Sequence, residues 1–244
     1  MNRILSYIFT PIFYLSFYLI LLIFHPIQFI ALNVFGKKAH DSSVAMLNYC
    51  IIKSHFLMGS RIKFIDFKQL STDQPLIIVA NHQAVWDMPP LIWKFKQNHL
   101  KFIAKKELAK GIPSISYNLK HGGSVTIDRG DGSNAIKKII NFAKQINEDN
   151  YAVCIFPEGS RSKNGKVKPF QSGGLKTLVK QMPTALVVPV AIIGTGEMNN
   201  HGSKFLKFGV DISYTFLDPI HINIKTIDEQ LNKIREDIVA IVEK

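Results

Sequence analysis

The sequence predicts an α/β fold with a mixed or largely parallel central sheet flanked by helices, preceded by an N-terminal membrane-embedded helical segment. Short apolar and β-branched runs alternate with helical patterns along most of the chain, which is typical of strands joined by helices. A long uncharged stretch precedes that alternation. At 244 residues, the chain is long enough for one α/β domain and a short appendage.

The uncharged stretch at the start of the chain has the length of a membrane helix. Residues 4–24 are dominated by Ile, Leu, Phe and Tyr, and as a helix they would span roughly 30 Å, about the thickness of a bilayer core. Two arrangements fit: one spanning helix, or two shorter helices bent at Pro26 that enter a single leaflet. Arg3 lies before the stretch and Lys37 and Lys38 follow it, and the positive-inside tendency therefore favours the hairpin.

These observations divide the chain into two parts. We expect a membrane-embedded helical hairpin at residues 1–38 and an α/β domain at residues 39–244. Because both flanks of the hairpin are basic, the domain is expected on the cytoplasmic face of the inner membrane, as a monotopic or single-spanning protein.

Composition narrows the class of partner. The chain has 30 Lys and Arg against 18 Asp and Glu, a formal net charge of +12, which favours anionic partners. The sequence contains no zinc-finger spacing, no aromatic RNA-binding signature and no basic zipper helix, so a phospholipid surface or a phosphorylated substrate is favoured over nucleic acid. Cys50 and Cys154 lie far apart in apolar runs, and the histidines lack metal-ligand spacing. We therefore expect buried free cysteines and no metal.

Periodicity places the strands and the clearest helices. One helix is predicted to begin at Ser133, and an amphipathic helix from Ile227 to Ile241 is predicted near the end of the chain, because apolar residues recur there on one helical face. Strands are predicted within residues 61–67, 76–80, 101–104, 124–127, 152–156, 186–193 and 210–216.

The first segment whose residues suit catalysis follows the predicted strand at residues 76–80. That strand ends in Asn81 and His82, and Asp87 follows just before two prolines. Carboxyl ends of strands are where open α/β sheets bind ligands, and prolines are tolerated in the first turn of a helix. The imidazole and the carboxylate can therefore meet, and a carboxylate on one ring nitrogen leaves the other free to take a proton from a hydroxyl. The spacing alone is not specific, because an aspartate that caps the helix would show it too.

The second segment follows the predicted strand at residues 152–156. Backbone amides near Gly159 and the guanidinium of Arg161 suit a phosphate, because arginine offers a rigid fork of donors to oxyanions. Lys105 and Arg129, from the region between the two segments, are candidates to extend an anion-binding groove. Taken alone, a segment such as that of Gly159 and Arg161 is more often a charged surface turn, and Lys105 and Arg129 are each more often solvated surface charges.

Taken in order, NHQAVWD, KKEL followed by IDR, FPEGSRS and VVPVAI resemble the four sequence blocks of the glycerolipid acyltransferase family, which includes 1-acylglycerol-3-phosphate acyltransferases. The resemblance covers roughly residues 60–200, and four blocks in order are far more specific than one. It implies that His82 is the catalytic base and that Asp87 orients it. It also implies that the second and third blocks surround the phosphate of the acceptor, through Lys105, Arg129, Glu158, Gly159 and Arg161.

The resemblance also implies the substrates. A member of this family transfers an acyl group from acyl-CoA or acyl-carrier protein to 1-acylglycerol 3-phosphate at a membrane, with no other cofactor. The alternatives from the residues are an acyltransferase for another lysolipid, or a hydrolase or thioesterase in which the same His–Asp pair activates water. The absence of a G-x-S-x-G nucleophile elbow argues against a serine lipase. A basic membrane-binding protein without catalysis is the third alternative.

Overall fold

A computed structural model describes residues 2–128, 130–200 and 203–244. The strands in that part of the chain are Ile62–Ile65 (β1), Leu76–Ala80 (β2), Lys101–Lys105 (β3), Val125–Ile127 (β4), Ala152–Ile155 (β5), Leu186–Ile193 (β6), Ile212–Phe216 (β7) and Ile220–His221 (β8). These eight strands form one sheet in the order β1-β7-β6-β2-β5-β3-β4, with β8 paired to the first residues of β6. The first seven strands match the seven predicted runs, and β8 is too short to show a pattern.

The sheet is mixed and mostly parallel, which confirms the predicted fold class. β6 is antiparallel to β7 and β8, and the other strand pairs are parallel. The five strands β6, β2, β5, β3 and β4 are adjacent and run in one direction. Their carboxyl ends therefore meet at one edge of the sheet, hereafter the carboxyl edge.

Helices cover both faces of the sheet, because β2 is buried on both sides and must be packed on both. The helices are Asn2–Phe35 (α1), Lys37–Ser54 (α2), Met88–Lys94 (α3), Ile115–His121 (α4), Gly132–Glu148 (α5), Ser172–Gln181 (α6), Thr195–Met198 (α7) and Ile227–Val242 (α8). Ile77 and Val79 belong to the core that includes α5, α6 and α8, whereas Ile78 and Ala80 belong to the core that includes α1 and α3. The predicted helix at Ser133 begins at Gly132, and the predicted final helix is α8.

The predicted bend at Pro26 is wrong, because α1 continues through this proline as one helix. A proline removes one backbone hydrogen bond, but Leu21 before it and Ala31 after it are both buried, so both halves of the helix pack against the rest of the protein. The chain turns instead at Gly36, whose φ of 85° suits glycine. α1 and α2 then pack as a hairpin, in which Leu21 contacts the α2 residues of one apolar cluster. The predicted boundary after residue 38 falls within α2, and the division into two domains stays a prediction.

Helix α1 is long and apolar enough to cross a membrane, judged by its length and composition. Only 17% of its most apolar 18-residue window is buried by the rest of the protein, so this helix differs from a core helix. Its inner face packs on the domain through Phe13, which is fully buried. The outer face exposes many large apolar side chains, including Ile8, Leu15, Leu22 and Phe29.

Candidate active site

His82 and Asp87 lie together in the turn that leaves the carboxyl end of β2. His82 Nδ1 is 2.7 Å from Asp87 Oδ2, which is the contact that the sequence spacing makes feasible. A short 3-10 turn ends at Asp87, and α3 begins one residue later with Pro89 and Pro90 in its first turn. The prolines fix the start of α3, and that start brings the carboxylate back onto the imidazole.

The Asp87 carboxylate is fully buried and is held by four donors. Oδ2 accepts the His82 ring nitrogen and the backbone amides of Gln83 and Ala84, at 2.7 and 2.9 Å. Oδ1 accepts the hydroxyl of Thr195 at 2.5 Å. Because hydrogen bonds to a charged group are strong and directional, the carboxylate has one orientation, and so does the imidazole bonded to it.

The His82 ring is fixed on its face as well as at its edge. Phe156, the first residue after β5, stacks on it with ring centroids 4.2 Å apart and an angle of 18° between the planes. The His82 side chain is 15% exposed, so the ring is enclosed but still accessible. With Nδ1 donating to Asp87, the remaining ring nitrogen, Nε2, is the one able to accept a proton.

Glu158 connects the third sequence block to the backbone of His82. Its Oε1 accepts the His82 amide at 2.8 Å and its Oε2 accepts the Lys168 amide at 3.1 Å. The residue is only 2% exposed, and burial raises the pKa of its carboxyl although the two amides oppose that shift. The Ser162 amide donates to the His82 carbonyl at 2.8 Å. The observed contacts of Glu158 therefore hold the two loops together, and a direct contact with a substrate stays a prediction.

Gly159 and Arg161 lie in the turn after Glu158. Gly159 has a φ of 69°, and a Cβ there would lie 3.1 Å from the side-chain amide of Gln171, so both conformation and space favour glycine. The Arg161 side chain is exposed, and no partner for it is found within the described residues. The amides of Ser160 and Arg161 likewise donate to no group in the described parts of the chain. The turn thus offers a cation and two backbone donors.

Lys105 is the last residue of β3, and its side chain is exposed at the carboxyl edge. β3 lies between β5 and β4, so Lys105 lies at the same edge as the turns after β2 and β5. Arg129, the other predicted anion-binding residue of this region, lies outside the described residues. Asp128 forms an ion pair with Lys106.

Three supporting residues are not apparent from the local sequence. Thr195 follows β6, the neighbour of β2, and reaches Asp87 across 108 positions of the chain. Asn81 exchanges two hydrogen bonds with the backbone of Ile192, at 2.7 and 2.8 Å, and so ties the turn to β6. Tyr214 on β7 places its hydroxyl 3.1 and 3.2 Å from the carbonyls of Trp86 and Asp87. These three residues could have been predicted only from the order of the strands in the sheet.

Helix α1 contributes directly to the wall behind this turn. The Trp86 ring is 3% exposed and meets the edges of Phe13 and Phe17 at centroid distances of 5.1 and 5.3 Å. Such edge-to-face aromatic pairs add to the stabilisation from burial. Within residues 2–128, 130–200 and 203–244, no group of three or more His, Cys, Asp or Glu side chains could hold a metal ion.

Comparison with known proteins relates this arrangement to one family. A family described as Acyltransferase matches residues 61–193, a range that contains His82, Asp87 and the third block. Among curated proteins, human 1-acyl-sn-glycerol-3-phosphate acyltransferase beta is 28% identical over 71% of this chain and 60% of its own length. The BAT2 chloroplastic 1-acyl-sn-glycerol-3-phosphate acyltransferase of Brassica napus is 30% identical over 69% of this chain and 48% of its own length.

The chain thus spans 60% or less of these two relatives. Among solved structures, the 1-acyl-sn-glycerophosphate acyltransferase PlsC from Thermotoga maritima has a similar fold, with a TM-score of 0.73 and 24% identity over 98% of this chain and 92% of that one. Because the family match covers more than half of the sequence and includes the His–Asp turn, this chain belongs to the acyltransferase family.

Proposed function

We propose that this chain moves a fatty acyl group from a thioester donor, acyl-CoA or acyl-carrier protein, to the sn-2 hydroxyl of 1-acylglycerol 3-phosphate. The product would be phosphatidic acid for phospholipid biosynthesis. The observation that carries the proposal is the pair formed by His82 and Asp87, 2.7 Å apart at the carboxyl edge of the sheet. The names of the similar curated proteins support the choice of acceptor.

The proposed reaction begins with proton removal from the acceptor. Nε2 of His82 takes the proton of the lysolipid hydroxyl while that oxygen attacks the thioester carbonyl. The carbon–sulfur bond then breaks, the new ester carbon–oxygen bond remains, and the proton on His82 passes to the departing thiolate. No covalent intermediate with the protein is required, because the acceptor oxygen attacks the donor directly.

The surroundings of His82 suit the positive charge that forms on it. The buried Asp87 carboxylate faces the ring at Nδ1, and the attraction between an imidazolium and a carboxylate is stronger in a protein interior than in water. The face of Phe156 lies against the ring, which adds a cation–π contribution. Proton transfer by a positioned base of this kind contributes about 10² to 10⁴ in rate.

The turn after Glu158 is the proposed site for the acceptor phosphate. Arg161 and the amides of Ser160 and Arg161 are donors without described partners, and the loop that carries them is tied to the His82 backbone through Glu158 and Ser162. A phosphate bound there would place the lysolipid beside His82, and such positioning supplies a large share of catalysis. Lys105 and Arg129 are proposed to complete this phosphate site.

The lipid substrate makes a membrane location part of the proposal. The exposed apolar face of α1 would lie in the bilayer, with the domain on the cytoplasmic face of the inner membrane and in contact with membrane phospholipids. Since α1 also packs on Trp86 in the catalytic turn, the membrane helix and the active site would be parts of one rigid unit. No cofactor is needed for this reaction, as the thioester already activates the acyl group.

The test is an assay of the purified full-length protein with several lysolipids and with both acyl-CoA and acyl-carrier protein donors, followed by product analysis. We expect diacyl phospholipid from the lysolipid that carries a free phosphate, at a higher kcat/KM than from neutral lysolipids. Free fatty acid without diacyl lipid would contradict acyl transfer and favour a thioesterase. Equal rates with a neutral lysolipid would contradict the proposed acceptor.

A further inference from the structure

An open groove lies between helix α1 and the segment that follows β3. It has a volume of about 340 Å³ and is lined by residues 111–113, by α4 and by His25 of α1. The segment is anchored to α1 beside the groove, because the Ser114 hydroxyl donates to the Leu21 carbonyl at 2.7 Å. The groove therefore lies against the helix proposed to lie in the bilayer.

The polar groups that line this groove are mostly donors. The Ser114 amide donates to His25 Nδ1 at 3.1 Å, so the proton of the neutral ring is on Nε2. The Tyr117 hydroxyl oxygen accepts the Asn33 side-chain amide at 3.1 Å, and its own proton has no acceptor among the described residues. Lys120 and His121 add an ammonium group and a second imidazole, and the lining contains no carboxylate.

Apart from the Ser116 hydroxyl, which is bonded to the Ile112 amide and the Leu108 carbonyl, the rest of the lining is apolar and continues into the outer face of α1. Ile112 and Pro113 form one wall of the groove. On α1, Leu22 and Phe29 lie within one turn of His25, and each is 55% exposed. A molecule with a phosphate at one end and hydrocarbon at the other would meet donors in the groove and apolar side chains along the helix.

This groove is separate from the catalytic turn. α4 carries the chain from the carboxyl end of β3 back toward the amino-terminal end of β4. Soon after α4, the Ser124 hydroxyl accepts the amide of Phe102, the second residue of β3. Lys120 and His121 therefore lie toward the amino-terminal edge of the sheet, whereas His82 lies at the carboxyl edge.

We propose that this groove binds the phosphate of an anionic membrane phospholipid, whose acyl chains lie along α1. The bound lipid is a second lipid, distinct from the acceptor. The inference rests on the proposed membrane location of α1 but not on the proposed reaction. Charge complementarity selects an anionic lipid, because its net negative charge suits the Lys120 ammonium and the lining contains no carboxylate. The phosphate oxygens can accept from four donors, on His25, Tyr117, Lys120 and His121.

The experiment measures lipid binding without catalysis. Full-length protein in a neutral detergent is titrated with phosphatidylglycerol or phosphatidylcholine, and the bound lipid is counted by native mass spectrometry. We expect the double variant Lys120→Gln/His121→Gln to weaken phosphatidylglycerol binding roughly tenfold, as for loss of charge-assisted contacts. Tyr117→Phe, which removes only a hydroxyl, is expected to weaken it about threefold.

Two controls separate the possible sources of the signal. His221→Gln/Lys225→Gln removes the same two residue types from exposed positions elsewhere and is expected to bind like the wild type. His82→Ala, which should lose the proposed reaction, is also expected to bind phosphatidylglycerol like the wild type. A failure of lipid binding can therefore be distinguished from a failure of the proposed reaction. A melting temperature equal to that of the wild type establishes that each variant is folded.

Several outcomes would overturn the inference. Unchanged phosphatidylglycerol binding by the groove variant would do so. An equal loss of phosphatidylcholine binding would also do so, because it would indicate recognition of the phosphodiester that both lipids share and not of a net negative lipid. Loss of binding in His82→Ala would place the lipid in the active site. Displacement of the lipid by inorganic phosphate at equal concentration would show that the groove recognises free phosphate and not a membrane lipid.

Discussion

Two histidine–aspartate pairs in this protein have the same contact and different surroundings. His82 and Asp87 meet at the carboxyl edge of the sheet, and His99 and Asp41 meet beside the start of β3. In both pairs, Nδ1 of the histidine lies 2.7 Å from Oδ2 of the aspartate. The two pairs therefore differ not in this contact but in what else each carboxylate holds.

The Asp41 carboxylate already neutralises a lysine. Its Oδ1 lies 2.8 Å from Lys101 Nζ, and Lys101 is only 4% exposed. Burial acts to raise the pKa of Asp41, but the neighbouring His40, Lys101 and His99 outweigh it and hold the pKa well below its ordinary value. Since Asp41 belongs to α2 and Lys101 to β3, this pair fastens the helical hairpin to the sheet.

The Asp87 carboxylate, in contrast, is held by neutral donors. Besides His82, it accepts two backbone amides and the Thr195 hydroxyl, and among the described residues no lysine or arginine pairs with it. Its charge is therefore available to a proton that arrives on His82. An unneutralised, rigidly held carboxylate at the carboxyl edge therefore distinguishes the proposed catalytic pair from the structural one.

The largest effect on activity among the aspartates is expected from Asp87→Asn. The amide oxygen can keep the three contacts of Oδ2 and the amide nitrogen can donate to Thr195, so the fold should persist. The charge that stabilises the imidazolium is lost, and kcat should fall on the order of 10²-fold or more. Steady-state kinetics and a thermal melt check this. A kcat within twofold of the wild type would contradict the comparison.

Asp41→Asn is expected to lower the stability of the protein and to leave kcat nearly unchanged. It leaves the buried Lys101 ammonium without its partner, which costs about 3–5 kcal/mol when a buried pair is broken. Urea unfolding measures the loss, and kcat at a permissive temperature should stay near that of the wild type. A drop in kcat without a change in stability would break the distinction between the two pairs.

The lowered pKa of Asp41 predicts that the stability of the protein depends on pH. Because the pKa of Asp41 is lower in the folded than in the unfolded protein, its contribution is complete above the ordinary carboxyl pKa of about 4 and is lost as the pH falls below that value. In Asp41→Asn, this part of the acid destabilisation should disappear. Unfolding free energies measured across pH 2 to 6, about two units either side of that pKa, provide the check.

Arg161→Ala extends the comparison to the cations. Lys101 is buried and paired, whereas Arg161 is exposed and has no partner within the described ranges. Loss of a charge-assisted contact of about 1.5–3 kcal/mol should lower kcat/KM for the acceptor about 10- to 100-fold. The KM of the donor should change little. Lys163→Ala, in the same loop, is the matched control, and an equal effect on both substrates would count against a dedicated phosphate site.

The smallest effect is expected from Thr195. Thr195→Ala removes one donor from the buried Asp87 carboxylate, at a cost of about 1–2 kcal/mol in stability, with kcat lowered about tenfold because the carboxylate is less firmly oriented. Thr195→Ser keeps a hydroxyl and should restore most of the kcat. Equal activities of the alanine and serine variants would mean that Thr195 does not position Asp87.

Local sequence predicted the parts of this site that depend on neighbours along the chain. The strands follow from apolar runs, and the contact of His82 with Asp87 follows from five positions within one turn. Contacts between distant segments were not predictable from spacing, such as that between Asp41 and His99, 58 positions apart. The turn at Gly36 was missed because the sequence presents a proline at position 26, and burial on both sides of that proline overrides its tendency to break a helix.

Substitution of each of the two histidines in turn tests directly whether His82 is the base. His82→Ala and His99→Ala each remove one imidazole bonded to an aspartate at the same distance. In the acyl-transfer assay, we expect His82→Ala to lose about 10² to 10⁴ in kcat/KM and His99→Ala to stay within about threefold of the wild type. Comparable activity of the two variants would contradict the assignment of His82 as the base.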